Sequence, residues 1–214
     1  MRSAREAILA DLRPVRRLGR PGERALVACG AAGVVLAVVP AWLGVRSDLR
    51  QMSGWLVWGA YLLQVVYASL LIVAALRDAV PGRQRPREST VLFAGGIAIV
   101  LTITAVTWLG HPTSLREGTW GTSWRTCFTT PVILGLPPLL LTLYLIGRAY
   151  PLRPALVGAV AGLGAGLLVD ASWRTYCPVT DPVHILTSHL AAVLVLSMAG
   201  AAIAFAQARV TRRG

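Results

Sequence analysis

Residues 91–110 read VLFAGGIAIVLTITAVTWLG, twenty positions without a charged side chain. At 1.5 Å per residue an α-helix of about that length crosses the roughly 30 Å of hydrocarbon in a bilayer. In hydrocarbon the backbone must satisfy its own hydrogen bonds, so the stretch predicts a transmembrane helix rather than a strand or loop. Five further windows of the same character lie at 25–45, 54–76, 128–147, 154–169 and 185–206. The expected fold class is all-α: a polytopic transmembrane helical bundle of about six spans. The first apolar core is longer than the roughly 7–15 residues of a secretory signal peptide, and no clear small-x-small cleavage site follows it, so it is expected to remain as an anchor. The fifth window is short. It is expected to borrow residues 171–173 or to sit beside a local thinning of the bilayer.

Composition agrees. Of 214 residues only 14% are charged, and the mean hydropathy is +0.63, outside the range of ordinary soluble domains. A net charge of +12 would point to nucleic acid if it lay beside exposed aromatics on a soluble surface. It does not, so no direct nucleic-acid partner is expected. All 21 basic residues are arginine, which reads as a composition bias of the genome, because arginine and lysine orient membrane proteins equally well. Sixteen arginines fall in the N-terminal tail, the second and fourth loops and the C-terminal tail; five fall in the other loops. The positive-inside rule then places both termini in the cytoplasm. Trp42, Trp55, Trp108, Trp120, Trp124 and Trp173 fall near the outer ends of the spans, as an interfacial belt would. The expected division is a cytoplasmic segment 1–24, a six-helix membrane domain 25–206 and a cytoplasmic tail 207–214.

Within the spans the polar side chains of note are Gln64 and His189, with Asp170 at an outer edge. That argues against an ion-coupled transporter, whose pathway is marked by intramembrane charges. Gly158, Gly162 and Gly166 recur every four residues and line one helix face, allowing a neighbouring helix to approach closely. Packing within one chain is the expected use, and a homodimer the lesser alternative. Pro137 and Pro138 remove two backbone donors from the fourth span and are expected to kink it.

A short phrase recurs: Ser123-Trp124-Arg125-Thr126-Cys127 before the fourth span and Ser172-Trp173-Arg174-Thr175-Tyr176-Cys177 before the sixth. Both cysteines fall on the outer, oxidising side. Two readings stand side by side: a disulfide staple contributing about 2–4 kcal/mol, or a thiol sensor that binds soft or borderline metals or changes redox state. His184 and His189 are the nearest imidazoles. They are five residues apart, about 140° around an ideal helix, so they share a site only if the helix starts late or the site lies between helices. His111 and Asp181 are further outer candidates. Cys29, in the inner half of the first span, reads as a small apolar residue.

The N-terminal segment is too short for a domain but can be a helix. Ser3 and Glu6 form a capping-box pattern, and Ile8, Leu9, Leu12 and Val15 recur at helical spacing before Pro14 and Gly19 disturb it. It reads either as a basic interfacial helix or as a recognition peptide that folds into a groove on a cytoplasmic partner.

Together these pieces resemble the NrsF-type membrane anti-sigma factors. The matching stretches are LADLRPVRRL at 9–18, SWRTC at 123–127, LPP at 136–138, LRPALVGAVAGLGAG at 152–166 and CPVTDPVHILTSH at 177–189. The resemblance implies a bacterial inner-membrane regulator and no enzyme. It implies an extracytoplasmic-function sigma factor held by the cytoplasmic segment, with contacts within 3–18 at Ile8, Leu9, Leu12, Arg13, Pro14 and Val15. It also implies that Cys127 and Cys177, supplemented by His184 and His189, answer heavy-metal or redox stress. No obligatory cofactor follows; a heavy-metal ion at the periplasmic cysteines is the candidate ligand. Two other classes compete: a quinone-linked thiol oxidoreductase, which ordinarily wants a Cys-x-x-Cys pair and a second pair that this chain lacks, and a structural subunit with an inert disulfide.

Overall fold

The computed structural model describes residues 18–112 and 120–211. The N-terminal residues expected to touch a sigma factor, Ile8 to Val15, lie outside the described residues, as do Ser3 and Glu6.

The described chain folds into six long helices. They are α1 (Pro21–Leu43), α2 (a π-helical turn at Trp55–Gly59 leading into Ala60–Asp78), α3 (Pro86–Gly110), α4 (Trp120–Gly147), α5 (Pro154–Arg174) and α6. The last opens at Pro182–His184, widens into a π-helical turn over Ile185–Leu190 and continues as Ala191–Thr211. All six are long and apolar enough to cross a membrane, and no strand occurs among the described residues. Helices α1 and α3 begin four to five residues before their hydropathy windows. The reason is Pro21 and Pro86: proline at the first helical position has no N–H to leave unsatisfied and a φ already suited to the turn. At the other end α5 runs past residue 169 to Arg174, because Arg174 Nε pairs with Asp170 Oδ2 one turn earlier at 2.9 Å. The helix thus takes in residues 171–173, the first of the two expectations for the short fifth window, and Arg174, expected in the loop, is helical as well.

Helix α5 is the centre of the bundle. Its apolar window is 83% buried, against 22–39% for the other five, and it packs against every one of them. Glycine makes this possible. A Cβ on Gly158 would collide with the Gly200 carbonyl of α6, one on Gly162 with the Leu196 carbonyl, and one on Gly166 would lie 3.0 Å from Val193 Cα. Gly164, on another face, sits as closely against Ala68 of α2. The glycine stripe is thus filled by α6 of the same chain, and any homodimer must use a different face. Around it Leu71, Ile72, Leu139, Leu143, Ile146, Leu163, Leu167 and Leu196 are fully buried and form the core.

The outer faces of α1 and α2 expose Leu26, Val34, Leu62, Leu63 and Val66, as helices bathed in lipid do. Trp42 and Trp55 are exposed at helix ends, but Trp173 is 1% exposed and does not belong to a belt; its ring lies tilted against Tyr176, with centroids 5.0 Å apart. Helix α4 runs without a break through Pro131, Pro137 and Pro138, and the Thr142 hydroxyl donates to the Pro138 carbonyl at 2.7 Å. Cys29 lies half-buried against the core, as a small apolar residue would.

Candidate metal and thiol site

At one end of the bundle the α1–α2 and α5–α6 connections meet the end of α3. The clamp that joins them is Arg46. Its guanidinium donates to the carbonyls of Cys177 (2.9 Å) and Pro178 (2.8 Å) and pairs twice with Asp48 at 2.6 Å, while its backbone N–H donates to the Thr175 carbonyl. The neighbouring Arg46 holds the Asp48 carboxyl below the usual carboxylate range. A depressed carboxylate stabilises the fold above its unfolded pKa and loses that contribution only as pH falls through the lower folded value, so the clamp is intact at neutral and mildly acid pH. On the far side Thr180 donates to the His111 carbonyl at 2.7 Å, and the His111 ring lies 3.2 Å from Asp48. His111 therefore belongs to the clamp. Asp181 is likewise occupied: its carboxylate accepts the His184 backbone N–H at 2.9 Å and caps α6.

What the clamp fixes is Cys177. Its sulfur lies 3.5 Å from Cys127 Sγ, which stands about two turns inside α4 rather than before it, and 3.7 Å from His184 Nε2. One ligand atom from each of Cys127, Cys177, His184 and His189 falls within 4.8 Å of the others. All four side chains are buried, at 3%, 2%, 0% and 1% exposure, and Val39, Trp173 and Val179 wall them off. The cysteine separation of fifty residues is thus closed through space, with both sulfurs as thiols. The adjacent Cys127 sulfur, together with burial, pushes the Cys177 thiol well above its usual range; two like charges this close in a dry site oppose each other.

The π-helical turn resolves the angular problem of the two histidines. Bonding from i to i+5 widens the turn, so residues five apart come to one side where an α-turn would separate them. Rings of His184 and His189 lie 5.6 Å apart as a result. Within this turn the Thr187 hydroxyl donates to the Val183 carbonyl at 2.7 Å and the Ser188 hydroxyl to the His184 carbonyl at 2.6 Å, the bond that Thr104 and Thr142 also make in ordinary α-helix.

Sequence reasoning did not find two functional supports. Asp170 accepts from His189 Nδ1 at 2.7 Å, and Arg46 positions Cys177. A cavity of about 50 Å³ adjoins Cys177, bordered also by Tyr61, Gln64 and Arg174. Removing the clamp exposes that thiol. The Arg46→Ala variant loses charge-assisted hydrogen bonds of about 2 kcal/mol, so alkylation of Cys177 by a small maleimide is expected to accelerate roughly 30-fold; Arg50→Ala serves as control.

The donor set fits a metal ion on chemical grounds: two sulfurs and two imidazoles, with His189 Nε2 buried and lacking a hydrogen-bond partner among the described residues. Such closed S2N2 sets suit zinc-like dications. Six helices long and apolar enough to cross a membrane thus enclose a buried cluster of two thiols and two imidazoles. The family described as negative regulator of sigma F, NrsF, matches residues 9–209, and the chain belongs to it. Over 182 residues it is 32% identical to the anti-sigma-F factor NrsF of Caulobacter vibrioides (strain NA1000 / CB15N), covering 81% of this chain and 82% of that one. No solved structure matches.

Proposed function

We propose that this protein is an anti-sigma factor. Its N-terminal segment holds an extracytoplasmic-function sigma factor at the cytoplasmic face of the inner membrane, and the periplasmic cluster of Cys127, Cys177, His184 and His189 governs release. The observation that carries this reading is that a single family match, over 9–209, takes in residues 9–18 of the basic amphipathic segment together with the buried thiol cluster. The cluster lies at the end of the bundle remote from the start of α1, a helix of 23 residues and about 35 Å. A message between them must cross the bundle.

Two chemistries act on the same atoms. In one, both thiols lose their protons and close with the two imidazoles on a heavy-metal dication, whose charge holds them as thiolates. In the other, the two thiols give up two protons and two electrons to an oxidant and form one S–S bond of about 2.05 Å. Each draws α4 and the α5–α6 connection together. Either must favour one packing of α4 to α6 and change the affinity of the N-terminal segment for its partner; about 1.4 kcal/mol of difference shifts that affinity tenfold.

Co-purification tests the reading. Full-length protein in detergent is expected to retain its sigma factor, and a version lacking residues 2–18 to lose it. Capture by neither form, or equally by both, overturns the assignment of the segment.

A further inference from the structure

Asp170 makes three side-chain hydrogen bonds within the bundle. It is 1% exposed. Its Oδ1 accepts from His189 Nδ1 at 2.7 Å; its Oδ2 accepts from Gln64 Nε2 of α2 at 2.6 Å and from Arg174 Nε at 2.9 Å. Arg174 in turn reaches Thr104 of α3 at 3.3 Å, and Gln64 also donates to the Leu167 carbonyl at 3.1 Å. One carboxylate therefore joins α2, α3, α5 and α6.

Its contact with His189 decides what that imidazole can do. A carboxylate only accepts, so the proton resides on Nδ1 and the lone pair is left on Nε2. That nitrogen is the buried atom without a hydrogen-bond partner among the described residues, and it belongs to the four-donor cluster. Histidines that bind metal nearly always donate their second N–H to a carboxylate or carbonyl in this way. Two of the six edges are close to those of a metal site: bonds of about 2.3 Å to sulfur and 2.0–2.1 Å to nitrogen give tetrahedral edges of about 3.8 Å between sulfurs and about 3.6 Å from sulfur to nitrogen, against the observed 3.5 and 3.7 Å, and all four donors lie within 4.8 Å of one another. Charge agrees. Two thiolates and two neutral imidazoles take up a dication with no net charge left in the dry interior, whereas a monovalent ion would leave one negative charge uncompensated. Asp170 and Arg174 already balance each other.

We infer that Asp170 is the positioning residue of this four-donor site, fixing the His189 tautomer so that Nε2 faces a soft or borderline dication and tying the site to α2 and α3. This rests on the reading of the cluster as a metal-responsive centre, and its test needs no sigma factor. His184 has no such support, since its Nδ1 lacks a partner among the described residues.

The test uses full-length, reduced protein in detergent, with Co²⁺ and Cd²⁺ as probes. Wild type is expected to give thiolate-to-cobalt charge-transfer absorption and a ¹¹³Cd resonance of an S2N2 donor set. In the Asp170→Asn variant the same bands persist while Co²⁺ affinity falls about 10–100-fold, and ¹⁵N-histidine spectra lose the Nδ1–H preference of one ring. Because the substitution strands Arg174, the double variant Asp170→Asn, Arg174→Gln is measured beside it and replaces it if the single variant does not fold. Unchanged Co²⁺ affinity with an unchanged tautomer, or a wild-type protein whose Cd²⁺ donors include no nitrogen, overturns the inference. Failure of the sigma-factor reading would show instead as absent co-purification with normal metal spectra.

Discussion

Replacing Cys127 and Cys177 together by serine is expected to lower Cd²⁺ affinity by about four orders of magnitude. Closed four-ligand zinc sites bind with about 10–16 kcal/mol, or roughly 3 kcal/mol for each ligand; two thiolates lost is about 6 kcal/mol, and each 1.4 kcal/mol is tenfold. The variant also loses the stabilisation that a dication gives to the folded state, so its melting temperature no longer rises with added Cd²⁺. Equilibrium dialysis and thermal unfolding in detergent check both. Cys29→Ser provides the control, because Cys29 packs against the apolar core on α1 and is not among the four clustered donors. A double variant that keeps wild-type affinity places the metal elsewhere.

The second large effect is in the helix contact that carries the site. Gly162→Val puts a branched side chain where a Cβ alone would collide with the Leu196 carbonyl and lie 2.7 Å from Ser197 Cα. Both obstacles are backbone, so no rotamer change relieves them, and α6 must move away from α5. Overpacking of this kind costs about 3 kcal/mol or more, a fall of about 10 °C in melting temperature for a chain of this size. It also separates His189 on α6 from Asp170 on α5, so metal affinity falls with stability. Gly30, on the exposed face of α1, has nothing within 4 Å of its Cβ position; Gly30→Ala is expected to be neutral or to gain about 0.5–1 kcal/mol. Equal effects at the two glycines would contradict the packing described.

The six helices were legible because a long uncharged run has few alternatives. Their starts were less so: proline at a first helical position carries no hydropathy signal, which is why α1 and α3 begin early. The fifth helix looked short because Asp170 and Arg174 read as polar loop residues, and nothing local shows that they neutralise each other one turn apart. In the site, the two cysteines and two histidines were legible as residue types. Their meeting was not, because it depends on Arg46 holding Cys177 from 131 residues away and on the π-helical turn over Ile185–Leu190. Asp170 was visible only as an acid at a membrane edge. Its partner Gln64 is 106 residues distant in sequence, a separation that no spacing rule covers.

The most direct measurement of the account is sigma-factor retention on immobilised full-length protein as Cd²⁺ is raised, for wild type and for the Cys127→Ser, Cys177→Ser variant in parallel. The account predicts that wild type releases its sigma factor over the same Cd²⁺ range that fills the site, and that the serine variant retains it throughout. Release from both at the same concentration, or retention by both with the wild-type site filled, would contradict it.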